Sequence, residues 1–324
     1  MTGNAPDRPH VLIVGAGALG SLIGGLLAEN GVLVTLLNRS PAHPQSIAKA
    51  GGLTIVGHGG QRLVPLRATS DAEAIDPIDV AVFLCKAGAT PAAAHGVRHL
   101  FNDDRAVAVS FQNGLGNEEA IGAAIGEHRV IAGLTLLGAR LEAPGVVRNF
   151  ADLPSYIGEI GGGHSARTTE LARLFSDHGV PTQASSEIMR EKWKKLFANV
   201  AFSATSAATG LTIAEVAGVP ELSQTALRAI DEAADVAAAC GIAIDATERR
   251  TIFERLIDPN GAGANTTSMY RDLQAKRASE VDQIYGEIIA RGLMYGIPTP
   301  TLQSLSGIVK GLEAKVLAGR SGKT

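Results

Sequence analysis

The composition is that of a folded protein with balanced charge, and it excludes several classes of function. The chain has 324 residues, of which 45% are hydrophobic, and its formal net charge is −3. This length suits two domains. The balanced charge argues against a nucleic-acid partner or a disordered charged tail, and no apolar run approaches the length of a membrane span.

The sequence favours a reducing compartment and no metal site. The first residues lack the apolar core of a secretion signal, and Cys85 and Cys240 lie far apart with no CxxC pair. Both features predict a cytoplasmic protein without disulfides. The eight histidines show no metal-binding spacing, so no metal is expected.

A predicted strand, His10–Val14, runs directly into a glycine-rich turn. The turn reads Gly15-Ala16-Gly17-Ala18-Leu19-Gly20 and precedes a predicted helix, Ser21–Glu29, and a second strand, Val32–Leu37. A strand, G-x-G-x-x-G and a helix together form the dinucleotide-binding fingerprint. The first glycine permits the tight turn, the second lets the backbone approach a pyrophosphate, and the third allows close packing of helix on strand. The alternative is a glycine turn without a ligand.

The end of the second strand indicates which dinucleotide is bound. The position that usually carries an acidic residue for the ribose hydroxyls falls near Asn38, and Arg39 follows it. A carboxylate would repel a 2′-phosphate, whereas a guanidinium binds it. The pattern therefore favours NADPH (NADP⁺) over NADH, unless Arg39 is simply a solvated loop residue.

The remaining pattern predicts an α/β protein with two domains. Apolar strands, also at Val80–Leu84 and Ala106–Ser110, alternate with helices such as Pro91–Phe101, which predicts a Rossmann-type, doubly wound parallel sheet. The segments Leu53–Val56 and Arg62–Leu66 flank Gly57-His58-Gly59-Gly60 and predict an inserted hairpin. Residues 129–184 are rich in strands, with one helix predicted at 166–178 and turns at 144–145 and 161–163.

Strand signals mostly vanish after residue 186, which sets the predicted boundary. Residues 1–186 form the predicted NADP-binding domain, and residues 187–324 form an α-helical substrate domain. Its predicted helices are Glu187–Ala208, Glu221–Cys240, Ser279–Tyr295 and Pro300–Leu317. Ligands of open α/β sheets bind beyond the carboxyl ends of the strands. The helical domain is therefore expected to close over that edge and to supply the chemistry.

Polar residues follow two strands of the first domain directly. Lys86 ends the strand that begins at Val80, and Asn113 with Gly114 follows the strand that ends at Ser110. Both positions are expected at the carboxyl edge of the sheet, near the cofactor. The alternatives are a solvated lysine and a plain Asn-Gly turn.

A polar line runs along the first helix of the second domain. Lys195, Asn199 and Ser203 are spaced four residues apart, which places them on one face of an otherwise apolar helix. Buried polar groups need partners, so this line is expected to face a ligand or a cleft. The alternative is a solvated basic helix face.

A second candidate segment contains Asn265, Ser268 and Glu280. On one straight helix Ser268 and Glu280 would lie about 18 Å apart, at about 1.5 Å per residue. Ser279-x-x-Asp282 resembles a capping box, so a new helix is predicted to start at Ser279 after a break at residues 274–278. Glu280 would then lie in a first helical turn, where the helix dipole favours its ionised form. The alternative is one long surface helix.

Together these motifs resemble the ketopantoate reductase (2-dehydropantoate 2-reductase) family over nearly the whole chain. The residues that carry the resemblance are Gly15-x-Gly17-Ala18-Leu19-Gly20, Arg39, Lys86, Asn113-Gly114, Trp193-Lys194-Lys195-Leu196-x-x-Asn199, Asn265-x-x-Ser268-Met269 and Ser279-Glu280-Val281-Asp282. The resemblance implies a C-terminal domain like that of 6-phosphogluconate dehydrogenase. It also implies NADPH-dependent reduction of ketopantoate to pantoate, on the route to pantothenate and coenzyme A.

The resemblance also implies roles for individual residues. Lys195 matches the acid that protonates the keto oxygen, and Glu280 matches the carboxylate that orients substrate and lysine. Asn265 and Ser268 match the group at the substrate carboxylate. The residues expected near the cofactor are Gly15, Ala16, Gly17, Ala18, Leu19, Gly20, Asn38, Arg39, Lys86 and Asn113. Asn113, Asn199 and Ser203 are expected at the substrate.

Two departures concern the far end of the substrate. The family usually carries asparagines where this chain has Ser203 and Ile213. In the family, these two asparagines help to hold the distal hydroxyl of ketopantoate. An apolar group in place of an amide weakens discrimination for a substrate hydroxyl. The alternative is therefore a related reductase for another 2-oxo acid with a more apolar tail.

A non-catalytic NADPH sensor is disfavoured because the chain carries both Lys195 and Glu280. The sequence leaves open whether the chain forms a homodimer.

Overall fold

The computed structural model describes residues 8–57, 59–102 and 105–321. Contacts divide the chain into two compact units. The first unit contains the described residues up to Gln112 together with Asn117–Met189. The second unit contains the short segment Asn113–Gly116 and the described residues from Arg190 onward.

The twelve strands in the described part of the first unit form two sheets. Their bounds are β1 His10–Val14, β2 Leu33–Leu37, β3 Leu53–Gly57, β4 Gly60–Val64, β5 Arg67–Thr69, β6 Val80–Phe83, β7 Val107–Ser110, β8 Val130–Thr135, β9 Gly138–Ala143, β10 Val146–Ala151, β11 Ser155–Gly158 and β12 Thr182–Ala184. The larger sheet has the order β12-β11-β8-β7-β6-β1-β2-β5. Among the described strands of this sheet, only β11 and β8 pair in antiparallel orientation. The predicted doubly wound parallel sheet is confirmed.

Helices cover both faces of the larger sheet, which explains why its strands are continuous apolar runs. These helices are α1 Ala18–Glu29, α2 Ala42–Ala50, α3 Thr90–Val97, α4 Asn117–Ile125 and α5 Ala166–Asp177. Val11 and Ile13 of β1 belong to one buried cluster, whereas Leu12 and Val14 belong to another. Successive side chains of a strand point to opposite faces, so a strand buried on both sides is apolar throughout.

The smaller sheet has the order β4-β3-β10-β9. The predicted hairpin at residues 53–66 is present as the antiparallel pair β3–β4, although His58 at its tip lies outside the described residues. It is not an isolated insertion, because β3 also pairs in parallel with β10, and β10 pairs with β9. The sequence did not indicate this joining, since no local pattern links strands so far apart in the chain.

The described part of the second unit contains helices and connecting segments but no strand. Its helices are α6 Ile188–Thr209, which starts at the end of the first unit, α7 Ile213–Gly218, α8 Pro220–Ala239, α9 Ala246–Ile257, α10 Ser268–Gln274, α11 Glu287–Tyr295 and α12 Pro300–Ser321. Trp193 packs edge-on against Phe197, and Phe202 packs against Phe253 of α9. Within the described residues, no helix has the length and apolar character that crossing a membrane requires.

Candidate active site

The glycine-rich turn of residues 15–20, here called the phosphate loop, needs its glycines for different reasons. Gly15 has φ +100°, and a Cβ there would lie 2.3 Å from the Cys85 nitrogen. A Cβ on Gly20 would lie 2.4 Å from the Gly15 oxygen. A Cβ on Gly17 would meet no described atom within 4 Å, so protein packing does not require this glycine. The free space beside Gly17 fits a ligand that approaches the backbone closely.

The start of α1, within the phosphate loop, has the features of an anion site. Gly17 is the N-cap of this helix and has no side chain with which to cap it. The first backbone N–H groups of a helix lack partners inside the helix and attract phosphate. The Ala16 carbonyl accepts from Asn38 Nδ2 at 3.1 Å and from Ser21 Oγ at 3.3 Å, which fixes the loop. These residues fit the pyrophosphate of a dinucleotide.

Asn38 and Arg39 lie directly after β2, as predicted. The half-buried Asn38 holds the loop through Ala16, and its Oδ1 accepts from the Ser40 N–H at 3.4 Å. Arg39 is exposed. A direct contact of either residue with the ribose or its phosphate stays a prediction.

Lys86 follows β6 and is exposed. A buried polar network, which sequence reasoning missed, begins at the neighbouring residue Cys85. Gln112 Nε2 donates to the Cys85 carbonyl at 2.8 Å and to Thr90 Oγ1 at 2.7 Å. Thr90 in turn donates to Asn117 Oδ1 at 3.2 Å. The network ties the loop after β6 to the starts of α3 and α4. The sequence signal that could have indicated this network is Gln112, a polar residue directly after the apolar strand β7 and Phe111.

In the second unit, α6 carries the predicted polar line. Lys195 and Asn199 are half-buried and Ser203 is buried. Burial of the ammonium, with the Lys192 ammonium nearby, lowers the pKa of Lys195 from 10.5 to about 8, while the Glu280 carboxylate raises it. Lys195 therefore combines a charged form at neutral pH with a proton that is easily given up.

Glu280 and Asn113 meet in the same unit although they are 167 residues apart in sequence. Asn113 Nδ2 donates to Glu280 Oε2 at 3.3 Å. Because Glu280 also acts on the pKa of Lys195, the ammonium, carboxylate and amide form one cluster. This brings together three of the predicted site residues.

The predicted helix start at Ser279 is wrong in detail. The segment begins as a π-helical turn, Asp282–Gly286, which continues into α11. Ser279 Oγ accepts from the Val281 N–H at 3.2 Å, whereas a capping box would use the Asp282 N–H. The Asp282 carboxylate instead pairs with Lys310 at 2.8 Å. Glu280 therefore lies just before the helix rather than within its first turn, and its carbonyl accepts from Ile284.

The segment Asn113–Gly116 packs directly on this π-helical turn. The Leu115 N–H donates to the Gln283 carbonyl at 3.1 Å. Gly114 has φ +82°, and a Cβ there would lie 2.4 Å from the Gln283 oxygen. The Asn-Gly pair is therefore more than a plain turn, because the glycine lets Asn113 approach Glu280.

Tyr285, in the π-helical turn, reaches into α6 and was also missed from sequence. Its hydroxyl donates to the Val200 carbonyl at 3.0 Å and accepts from the Ala204 N–H at 3.1 Å. An α-helix normally pairs these two groups with each other. Burial raises the pKa of Tyr285 far above its ordinary value, so the hydroxyl remains a neutral link. π-helical turns are frequent at functional sites.

Asn265 and Ser268 lie on a segment that is anchored to α6. Thr267 Oγ1 donates to the Ser203 carbonyl at 3.4 Å, and the Thr267 N–H donates to Ser206 Oγ at 3.3 Å. The Ile213 N–H donates to the Asn265 carbonyl at 3.0 Å. These contacts bring the segment to the part of α6 that contains Ser203. Both Asn265 and Ser268 are exposed and accessible to a ligand.

The predicted break between α10 and the next helix is confirmed. α10 ends at Gln274, and Lys276 adopts a left-handed conformation with φ +53°. Arg277 then contacts Asp272 at 2.9 Å, which closes the turn. Direct proximity of Ser268 and Glu280 stays a prediction.

Two family models match the chain over most of its length. The model described as "Ketopantoate reductase PanE/ApbA" matches residues 11–162, and the model of its C-terminal part matches residues 187–313. The 2-dehydropantoate 2-reductase of Archaeoglobus fulgidus is 32% identical over 306 residues, which cover 94% of this chain and 98% of that protein. The enzyme of the same name from Halobacterium salinarum is 28% identical and covers 93% and 98%.

Solved structures of the same architecture include two kinds of enzyme. A PanE/ApbA family ketopantoate reductase from Ralstonia eutropha matches with a TM-score of 0.86 and 29% identity, covering 95% of this chain and 99% of that chain. A D-mandelate dehydrogenase bound to NADH and anilino(oxo)acetate matches with a TM-score of 0.89, 27% identity and the same coverage. Similar chains therefore include enzymes named for different substrates.

Proposed function

Because this chain belongs to the ketopantoate reductase family of nicotinamide-dependent oxidoreductases, we propose that it reduces a 2-oxo acid to a 2-hydroxy acid with NADPH. Ketopantoate, reduced to pantoate, is the leading substrate. The observation that carries this proposal is the cluster of Lys195, Glu280 and Asn113 in the second unit.

The proposed reaction divides its work between the cofactor and the chain. Bound NADPH supplies the hydride that forms the new C–H bond at C2 of the substrate. Negative charge then develops on the keto oxygen, where the Lys195 ammonium stabilises it and gives up a proton. The neutral lysine afterwards takes a proton from water. Glu280 and Asn113 orient the lysine and the substrate.

The substrate carboxylate is assigned to the segment of Asn265 and Ser268. Asn265 and Ser268 are exposed polar residues on a segment held against α6 by Thr267. A fixed amide and hydroxyl suit a carboxylate, because both donate hydrogen bonds to it. Asn199 and Ser203, on the same helix as Lys195, are assigned to the rest of the substrate.

A second candidate is a reductase for a 2-oxo acid with a more apolar tail. Ile213, half-buried at the start of α7, is joined through its N–H to Asn265. An isoleucine provides no hydrogen bond for a distal hydroxyl, so little favours ketopantoate over an unhydroxylated analogue at this position. The D-mandelate dehydrogenase structure, with its bound anilino(oxo)acetate, adds support for a related enzyme of different specificity.

A steady-state comparison of substrates decides between the two candidates. The panel contains ketopantoate, the same 2-oxo acid without its hydroxyl, and phenylglyoxylate. The ketopantoate assignment expects the highest kcat/KM for ketopantoate. An advantage of about tenfold or more for an unhydroxylated compound would overturn it in favour of the apolar-tail reductase. Ile213→Asn is the matched variant, expected to shift the preference toward ketopantoate.

The preference for NADPH rests on Arg39, which is exposed directly after β2. Arg39→Ala is expected to raise the KM for NADPH about tenfold or more, because a charge-assisted contact with the 2′-phosphate is lost. The KM for NADH should stay within about threefold. Lys49→Ala, an exposed residue of α2, removes the same charge and is the control. Equal losses with both cofactors would contradict the assignment.

A further inference from the structure

A chain of buried hydrogen bonds reaches the phosphate loop from the smaller sheet. The Gly145 N–H donates to His43 Nδ1 at 2.9 Å, and His43 Nε2 lies 2.9 Å from Ser21 Oγ. Ser21 Oγ then donates to the Ala16 carbonyl at 3.3 Å. His43 is 4% exposed and Ser21 is fully buried. We call these four groups the His43 hydrogen-bond chain.

The two ends of the His43 hydrogen-bond chain determine its direction. A backbone N–H only donates, so His43 Nδ1 accepts and the proton of the neutral ring lies on Nε2. Nε2 therefore donates to Ser21, which leaves the serine hydrogen for the Ala16 carbonyl, a group that only accepts. Burial lowers the pKa of His43, which supports the neutral ring that this arrangement requires.

The far end of the chain lies in the turn between β9 and β10. Gly145 has φ +81°, and a Cβ there would lie 3.3 Å from the Ser46 Cβ, so α2 and the turn approach closely. The Gly145 carbonyl also accepts from the Thr54 N–H at 2.9 Å, which ties the turn to β3. The turn is thus a fixed point to which His43 is anchored.

The near end of the chain lies within the phosphate loop. The peptide between Ala16 and Gly17 is held at both ends, because its carbonyl accepts from Ser21 and Asn38 and its N–H donates to the Gly15 carbonyl at 2.8 Å. Gly17 is the residue beside which the free space lies. A rotation of this peptide would change the shape of the anion site.

We propose that His43 is a positioning residue for the cofactor, which acts through Ser21 to hold the Ala16 carbonyl and thus the phosphate loop in its binding shape. Neither His43 nor Ser21 needs to touch the dinucleotide in this role. A loop that is held in its bound shape before the cofactor arrives loses less conformational entropy on binding. The cost of losing the chain therefore appears in cofactor affinity.

The test measures the Kd for NADPH from its fluorescence, without any substrate. Ser21→Ala and His43→Ala are each expected to weaken binding about 5- to 20-fold, the loss that one hydrogen bond of this kind brings. The double variant should be no weaker than the poorer single variant, because both act through one chain. Since no substrate is present, the outcome is independent of which 2-oxo acid is reduced.

His10 provides a matched control. It is a buried histidine of the same unit, whose Nε2 contacts Thr35 Oγ1 at 2.9 Å and whose Nδ1 contacts the Pro77 carbonyl at 2.8 Å. His10→Ala is expected to lower Tm without changing the Kd for NADPH. His43→Gln, which keeps a side-chain N–H, should recover part of the affinity.

Three outcomes would overturn the proposal. The first is a Kd within about twofold of the parent in a folded Ser21→Ala protein, which removes only one hydroxyl oxygen. The second is an equal loss of affinity in the His10 and His43 variants. The third is a double variant whose loss equals the product of the two single losses, since this would mean that the residues act independently. If His43→Ala does not fold, Ser21→Ala and His43→Gln still decide.

Discussion

At the scale of single residues, Lys195 has the environment of a general acid. Its ammonium is desolvated, a second cation at Lys192 disfavours its charged form, and the Glu280 carboxylate partly restores it. These opposed influences leave a pKa of about 8, close to neutral pH. General acids work best when the pKa lies near the working pH, so the environment suits the proposed role.

Lys195→Ala is expected to reduce kcat about 10²- to 10⁴-fold, the usual contribution of a positioned acid. The Kd for NADPH should stay within about threefold, because the phosphate loop belongs to the other unit. Lys194→Ala is the control, since Lys194 pairs with Glu191 and Glu248 at 3.4 and 3.3 Å and its loss removes the same charge. An unchanged kcat in the Lys195 variant would exclude it as the acid.

The pH dependence of reduction should reflect the lowered pKa of Lys195. The protonated lysine is the active form, so kcat/KM is expected to be level below the pKa of about 8 and to fall as pH rises through it. Lys192→Met removes a positive charge that lowers this pKa, so the descending limb should move to higher pH. A limb that stays in place in the Lys192 variant would contradict this electrostatic account.

At the scale of elements, Tyr285 connects the helix that carries Lys195 with the segment that follows Glu280. Its hydroxyl bonds the Val200 carbonyl and the Ala204 N–H of α6, which directly follow Asn199 and Ser203 in the chain. The hydroxyl therefore links the segment that follows Glu280 to the backbone of α6 beside the polar line.

Tyr285→Phe removes only the hydroxyl and leaves two buried backbone groups to find new partners. The free energy of unfolding is expected to fall by about 1–3 kcal/mol. Urea unfolding measures it, with Tyr270→Phe at a half-buried position of α10 as the control for the lost oxygen. A change no larger than that of the control would show that Val200 and Ala204 pair with each other without the tyrosine.

Most elements followed from the sequence because their signals are local. The first strands are apolar runs separated by helical segments, and the predicted bounds of α5 and α8 were within one residue of those found. The helix α9 was missed because Phe253 is its only buried residue, so it has little apolar periodicity. The predicted capping box is not formed, because the Ser279 hydroxyl accepts its hydrogen bond from the Val281 N–H instead of the Asp282 N–H.

At the scale of the whole molecule, the segment Asn113–Gly116 belongs to the second unit. The residues directly before and after it in the sequence belong to the first unit. Within that second unit, Asn113 contacts Glu280 and Leu115 contacts Gln283. The predicted boundary at residue 186 treated each domain as a continuous segment. Asn113, a candidate site residue, therefore contacts Glu280 only because the segment Asn113–Gly116 packs within the second unit.

Gly114→Ala tests the importance of the segment Asn113–Gly116. At φ +82°, with a Cβ 2.4 Å from the Gln283 oxygen, alanine would both strain the backbone and push the segment away. We expect a loss of stability of about 2 kcal/mol or more and a reduced kcat, because Asn113 no longer reaches Glu280. Gly241→Ala, with φ +83° and open space within the described residues, reproduces the strain without the clash. Equal effects of the two variants would show that backbone strain alone explains the effect at Gly114, without the clash with Gln283.

The sequence by itself determined the dinucleotide fold and the family and predicted the residues of the candidate site, because turn chemistry, periodicity and motif spacing are properties of neighbouring residues. The tertiary structure alone decided which of them meet. Asn113 and Glu280 are 167 residues apart, Tyr285 reaches α6, and His43 connects the smaller sheet to the phosphate loop. Burial and charge at such meetings shift pKa values and fix peptides, and both depend on distances in space that no local pattern encodes.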